Sequence, residues 1–139
     1  MNVDLNGKVA LVTGSGRGIG RMSPSRIGKS FDTFTPLGPA IVTPDDVGDP
    51  QSLQVTLTVN GETRQNFNTS DMEYSVAEIL AYASGYMTLV PGDVILTGTN
   101  HNGMGPIQHG DTVELTIEKV GTLTVGVSDP LGRSWATDA

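Results

Sequence analysis

Cysteine is absent from the 139 residues, so neither disulfides nor thiolate chemistry is available to this chain. Basic residues are few: Lys and Arg number 8 against 15 Asp and Glu, a formal charge of −7. That balance excludes a broad basic surface for nucleic acid. It suits a protein that gathers acidic side chains around a divalent cation. No apolar run approaches the roughly 18 residues that a membrane span needs. The N-terminus also lacks a basic region followed by an apolar stretch and a cleavage site. The expectation is a cytoplasmic protein with no nucleic-acid or membrane partner.

What the chain does have is glycine. With 18 glycines and 37% apolar residues, it favours short strands and many turns over long helices. The length is that of one domain, enough to bury roughly 68–70% of its unfolded surface. No internal repeat or low-complexity stretch appears.

The first segment reads Val9-Ala-Leu-Val-Thr-Gly-Ser-Gly-Arg-Gly-Ile-Gly20. Lys8–Val12 suits a buried parallel strand. Gly14, Gly18 and Gly20 would let the backbone approach a pyrophosphate at a helix N-terminus, a dinucleotide-binding arrangement. About the first 21 residues resemble the N-terminus of short-chain dehydrogenase/reductases. The continuation breaks that pattern, because Pro24 follows where the helix should run on. None of Tyr74, Tyr82 or Tyr86 has a lysine four residues later, so the pair that such enzymes use for hydride chemistry is missing. Residues 1–22 are therefore read as a strand and glycine loop fragment, and NAD(P) as an unlikely cofactor.

From Gly28 onward the organisation is β-rich. A loop punctuated by Pro36, Gly38 and Pro39 leads to a short strand at Ala40–Thr43 and a turn at Pro44-Asp45-Asp46. Leu53, Val55, Leu57 and Val59 alternate with polar residues, the period of a half-buried strand. Asn60-Gly61 signals a tight hairpin, with a return strand over roughly Glu62–Phe67. Ser75 and Glu78 form a capping box. Val76, Ile79, Leu80 and Ala83 place an apolar stripe on the following helix, which should end near Ser84-Gly85. Pro91-Gly92-Asp93 turns the chain into a buried strand at Val94–Thr97. Thr112–Glu118 alternates again, and Gly121 turns it into Leu123, Val125 and Val127. The tail beyond Pro130 is peripheral, with Trp135 able to pack back.

Several motifs in this second segment occur together and in order. They are Gly28-Lys-Ser-Phe-Asp-Thr-Phe34, Pro36-Leu-Gly-Pro39, Val59-Asn-Gly-Glu62, Thr69-Ser-Asp-Met72, Met87-Thr-Leu-Val-Pro-Gly-Asp93 and Thr97-Gly-Thr-Asn-His-Asn-Gly-Met-Gly105. Over about residues 23–133 they resemble the C-terminal half of the catalytic domain of the fumarylacetoacetate hydrolase family. The Thr-Asn-His form of the glycine loop resembles the branch acting on open-chain keto acids. The resemblance implies a mixed β-sandwich roll, usually dimeric. It implies hydrolysis or decarboxylation of a 2-oxo or 1,3-dicarbonyl acid, breaking a C–C bond with the help of Mg²⁺, Mn²⁺ or Ca²⁺. Lys29 would lie beside metal and substrate oxygens as the catalytic residue, with Thr33 near the same cluster. Thr99 would hydrogen-bond the substrate carboxylate, helped by the backbone of Gly98. A chelated cation would polarise the carbonyl and stabilise the departing enolate, and lysine would add positive charge where the negative charge develops.

In that family the metal is held by a Glu-x-Glu pair and a following Asp, upstream of the Gly-Lys-Ser-Phe loop. No Glu-x-Glu occurs in these 139 residues. His101 and His109, eight apart in a glycine-rich stretch, read as exposed histidines, so no metal ligand is assigned. Asn68-Thr-Ser70 matches a glycosylation sequon, with nothing to suggest secretion.

The expected fold is α+β: mainly β with one principal helix, a partial roll in residues 23–139 preceded by one extra strand and loop. Three functions follow. One is a divalent-metal-dependent hydrolase or decarboxylase of keto acids, impaired in the isolated chain. Another is a catalytically silent fusion or truncation product, and the third an oxidoreductase of the short-chain type. Open strand edges predict a homodimer or larger assembly.

Overall fold

A computed structural model describes residues 32–99, 102, 103 and 105–132. The stretch Lys8–Gly20, with Gly14, Gly18 and Gly20, lies outside the described residues, as do Lys29, His101 and Trp135.

The fold is α+β, built on one antiparallel sheet. The strands are β1 (Gln54–Val59), β2 (Glu62–Asn68), β3 (Thr112–Ile117) and β4 (Gly121–Gly126), in the spatial order β2-β1-β3-β4. A one-turn helix α1 (Pro44–Val47) precedes the sheet. A 3₁₀ turn (Thr69–Asp71) and helix α2 (Val76–Tyr86) separate β2 from β3.

The alternation in the sequence sets the two faces. Val55 pairs with Phe67 and Ile117, Leu57 with Gln65 and Leu115, and Val59 with Val113. Leu123 and Val125 continue the apolar face onto β4. The other face carries the threonines, with Thr56 opposite Thr116 and Thr116 opposite Thr122. β1 is central, so its ends are the best covered: Val55 and Val59 are buried, with Leu53 and Leu89 beside them. Among the described residues these four are the buried hydrophobic core, and Gln65 is the buried polar residue.

Local chemistry explains the turns. Asn60 (φ 52°) and Gly61 (φ 80°) both take positive φ, as a two-residue hairpin requires. Asn60 also braces the neighbouring strand. Its Nδ2 donates to Asp111 Oδ1 (2.8 Å), and its Oδ1 accepts from Thr112 N (2.9 Å). The capping box of α2 is complete: Ser75 Oγ accepts from Glu78 N, and Glu78 Oε2 accepts from Ser75 N. The first helical amide, Val76 N, donates to Gln51 Oε1 (2.6 Å), and the Gln51 Nε2 donates to Thr69 O (3.2 Å). One glutamine side chain therefore fastens α2 to the end of β2. The stripe Val76, Ile79, Leu80 and Ala83 is the half-buried side of α2, while Tyr82 and Tyr86 on the other side are exposed, their rings tilted at 52° with centroids 4.9 Å apart.

Three local expectations are corrected. Ala40–Thr43 forms no strand, because Pro39 and Pro44 flank it and Thr43 serves as the N-cap of α1. Pro44-Asp45-Asp46 is therefore the start of a helical turn rather than a simple turn, with Pro44 in the first-turn position that tolerates it. Val94–Thr97 forms no strand either: none of the four described strands pairs with it. Helix α2 ends at Tyr86, one residue from the expected stop near Ser84-Gly85.

Asp111 gives the fold a pH signature. Hydrogen bonds from Asn60 and from the Gln108 amide, with a weaker pull from Arg64, hold its carboxyl below the ordinary aspartate value of 3.8. A depressed acid stabilises the folded chain at pH above its unfolded value and loses that contribution as pH falls through its folded value. Asp111→Asn is expected to lower the melting temperature at neutral pH. Melting curves of the two proteins should converge in the acid range below 3.8; a difference that persists unchanged there would refute the assignment.

Candidate functional site

The pairing of β1 with β2 contains one irregularity. Leu57 pairs with Gln65 but Thr58 pairs with Thr63, so Arg64 is left without a partner. A bulge of this kind turns its extra residue out of the ladder and re-aims the neighbouring side chains. Here Arg64 and Gln65 both end up against the same glycine loop.

Gln65 makes the specific contacts. Its Nε2 donates to the Asn102 carbonyl (2.9 Å), and its Oε1 accepts from the Thr99 hydroxyl (3.2 Å). It is buried to 8% of its exposed surface. Two points of the loop are thereby fastened to the central sheet through one side chain. Arg64 contributes shape. A Cβ placed on Gly103 would stand 1.6 Å from the Arg64 carbonyl oxygen, and one on Gly105 would stand 2.7 Å from Arg64 Nη1. Only glycine allows the loop to lie this close. Gly103 also has φ 75° and Gly98 φ 90°, values that side chains rarely accept. The Arg64 Nε is buried without a hydrogen-bond partner, which leaves a cation against the loop.

The residues expected from sequence fall into three groups. Gly98 and Thr99 are half-buried and sit at the head of this loop. Thr33 is exposed, at φ 70°. A β-branched residue in that region is a strained outlier, and such outliers concentrate at functional sites. No hydrogen bond joins Thr33 to Thr99. Lys29 lies outside the described residues. The reasoning from sequence missed Gln65, Arg64 and Asn102. Gln65 had a signal: it occupies an inward-facing register position between Thr63 and Phe67. The bulge that aims Arg64 had none.

The oxygen donors gathered here are a hydroxyl, an amide and a main-chain carbonyl, without a carboxylate. No group of three or more His, Asp or Glu side chains among the described residues could hold a metal. The set does not fit a hard divalent cation, which wants about six oxygen ligands including charged ones. His109 is engaged elsewhere, its Nδ1 accepting from Asp129 N at 3.0 Å.

Comparison with known proteins places this loop in context. The family described as fumarylacetoacetate (FAA) hydrolase, C-terminal, matches residues 11–128. The match begins within the stretch that resembles a reductase N-terminus, and nothing else found supports a reductase fragment there. A maleylpyruvate hydrolase of Aquipseudomonas alcaligenes is 48% identical over 99 residues, covering 71% of this chain and 34% of the relative. A mitochondrial oxaloacetate tautomerase of Bos taurus is 44% identical over 104 residues, covering 70% of this chain and 33% of the relative. The chain thus spans about a third of the length of these two relatives. Among solved structures, a maleylpyruvate hydrolase from Sphingobium sp. SYK-6, in complex with manganese(II) ion and pyruvate, superposes with a TM-score of 0.67. It is 43% identical, and the match covers 70% of this chain and 37% of that one. A fumarylacetoacetate hydrolase from the psychrophile Exiguobacterium antarcticum gives a TM-score of 0.68 at 41% identity, over 73% of this chain and 39% of that one.

The glycine contacts generate a paired test. Gly110 has φ 90° but open space around it, so Gly110→Ala should cost only the backbone penalty of about 1–2 kcal/mol. Gly103→Ala meets the Arg64 backbone as well and should cost clearly more in urea denaturation; equal costs would show that the loop does not press on Arg64. Since the matched stretch takes in β1 to β4, α2 and the loop fastened by Gln65, this chain belongs to the fumarylacetoacetate hydrolase family.

Proposed function

We propose that this chain carries the oxo-acid-binding loop of a hydrolase or isomerase site. The substrate would be a 2-oxo or 1,3-dicarbonyl acid, cleaved or rearranged at the bond next to its carbonyl. The observation that carries the reading is the fastening of Thr99 and Asn102 to Gln65, which holds a glycine loop rigidly at the edge of the sheet. A fixed loop of this kind offers donors and acceptors at set positions, and that positioning lowers the entropic cost of binding. Manganese and pyruvate in the Sphingobium relative support the ligand class. The named activities of the two curated relatives, a hydrolase and a tautomerase, support the two reaction types.

Within this reading the main-chain amides of Gly98 and Thr99 meet the acid end of the substrate. Lys29, from its place in the Gly-Lys-Ser-Phe motif, supplies positive charge where an enolate develops. Thr33 lies on the segment that follows. Arg64 adds a second cation beneath the loop. Mg²⁺ or Mn²⁺, when bound, supplies Lewis-acid polarisation of the carbonyl. The carboxylates to hold such an ion tightly are not supplied by the described residues, so we infer that the isolated chain binds divalent metal weakly and turns over slowly or not at all. The exposed side of α2, with Tyr82, Tyr86 and Met87 all more than half exposed, supports association into a dimer or larger assembly.

Calorimetry with Mn²⁺ and oxaloacetate tests the first inference. Weak oxaloacetate binding that Thr99→Val abolishes, without saturable micromolar Mn²⁺ binding, is the expected result. Micromolar metal affinity with measurable turnover would overturn the claim that the carboxylates are lacking. Sedimentation tests the second inference, and a sharply monomeric profile would refute association.

A further inference from the structure

Gln65 does more than hold the loop in place, because an amide has a direction. One end donates and the other accepts. The Asn102 carbonyl can only accept, so the amino end of Gln65 must face it. The carbonyl end is then turned to Thr99, and the Thr99 hydroxyl must spend its single proton there. What remains on the Thr99 oxygen is lone pairs. The burial of Gln65 makes reversal costly, since a flipped amide would lose its bond to Asn102 and set two carbonyl oxygens against each other.

We propose that Gln65 is a positioning residue that fixes the hydrogen-bonding sense of Thr99, so that Thr99 meets a bound oxo acid as an acceptor and selects its enol hydroxyl. The ligand half of this inference rests on the oxo-acid reading above. A carboxylate is an acceptor too and cannot bond to a hydroxyl whose proton is committed. The acid end is left to main-chain donors: the amides of Gly98 and Thr99 form no hydrogen bond with the described residues. An enol O–H has the proton that the Thr99 oxygen lacks. The keto form has none at that position. Gln65 thereby biases the site toward one tautomer without touching the substrate.

The test uses the whole chain and a ligand whose keto and enol forms coexist in water with separate proton signals, oxaloacetate. In the isotope-labelled free protein, Gln65 should show a side-chain amide proton protected from exchange and coupled through its hydrogen bond to the Asn102 carbonyl carbon. A Gln65 amide that exchanges like a free one overturns the proposal, whatever the ligand does. On titration, the enol vinyl signal should broaden in preference to the keto methylene signal by roughly tenfold, the factor that one misdirected hydrogen bond represents. Gln65→Leu releases the Thr99 proton, so that the hydroxyl can donate as well as accept, and should abolish that preference. Gln65→Glu keeps an acceptor facing Thr99 and should retain it. A purely structural role for Gln65 would weaken both tautomers alike in both variants, and that result would sink the idea. If Gln65 is protected but neither signal broadens, the hydrogen-bond assignment stands and the oxo-acid reading falls.

Discussion

An antiparallel pair takes in an extra residue only by turning it out of the ladder, and this constraint organises the site. β1 runs straight through the sheet with partners on both sides, so the irregularity falls on its edge neighbour β2. The bulge at Arg64 brings two consecutive side chains to bear on one loop, where a regular strand would send them to opposite faces. Arg64 supplies a wall and Gln65 supplies two hydrogen bonds. Gly103 in turn lies against the Arg64 carbonyl on β2, an edge strand of the sheet.

The hinge between local and non-local order decides what the sequence could reveal. Asn60-Gly61, the Ser75/Glu78 capping box and the Pro91-Gly92 turn are settled by residues within a few positions of each other, and all three form as their motifs require. The alternation in β1, β3 and β4 is equally local and equally legible. Ala40–Thr43 and Val94–Thr97 are different. Their apolar runs are as strand-like as β1, but a strand exists only when a second strand lies beside it, and that depends on distant parts of the chain. The candidate site divides the same way. Gly98 and Thr99 stand out as candidates in the sequence because a glycine loop is a contiguous motif. Gln65 is separated from Thr99 by 34 positions. Its only trace is a polar side chain on an inward register position.

Four buried apolar side chains make a thin core among the described residues. The apolar face of the sheet is half-buried at Leu57, Leu115 and Leu123, and helix α2 buries no residue fully. Hydrophobic stabilisation scales with the area removed from water, so a half-covered face contributes a fraction of what the same residues would give when enclosed. Much of the definition therefore comes from directed polar contacts. Gln51 links the 3₁₀ turn to α2, Asn60 links the hairpin to β3, and Gln65 links the sheet to the loop. Each is an Asn or Gln using both ends of its amide, a neutral group that can join a donor to an acceptor and fix the order of the two.

The acidic excess has a structural explanation that its sign alone does not suggest. A surplus of carboxylates fits a cation site, but the described acids are dispersed and employed singly. Asp49, Glu78, Asp93 and Asp129 accept main-chain N–H groups in turns and at a helix start, and Glu118 accepts the Gln54 amide across the sheet. Asp111 takes both Asn60 and the Gln108 amide. In a chain with 18 glycines and many turns, unpaired amides at turn entrances are abundant, and an ionised oxygen is a strong acceptor for them. Among the described residues these six acids are spent on turns, a helix start and the sheet, and no three His, Asp or Glu side chains gather around one point.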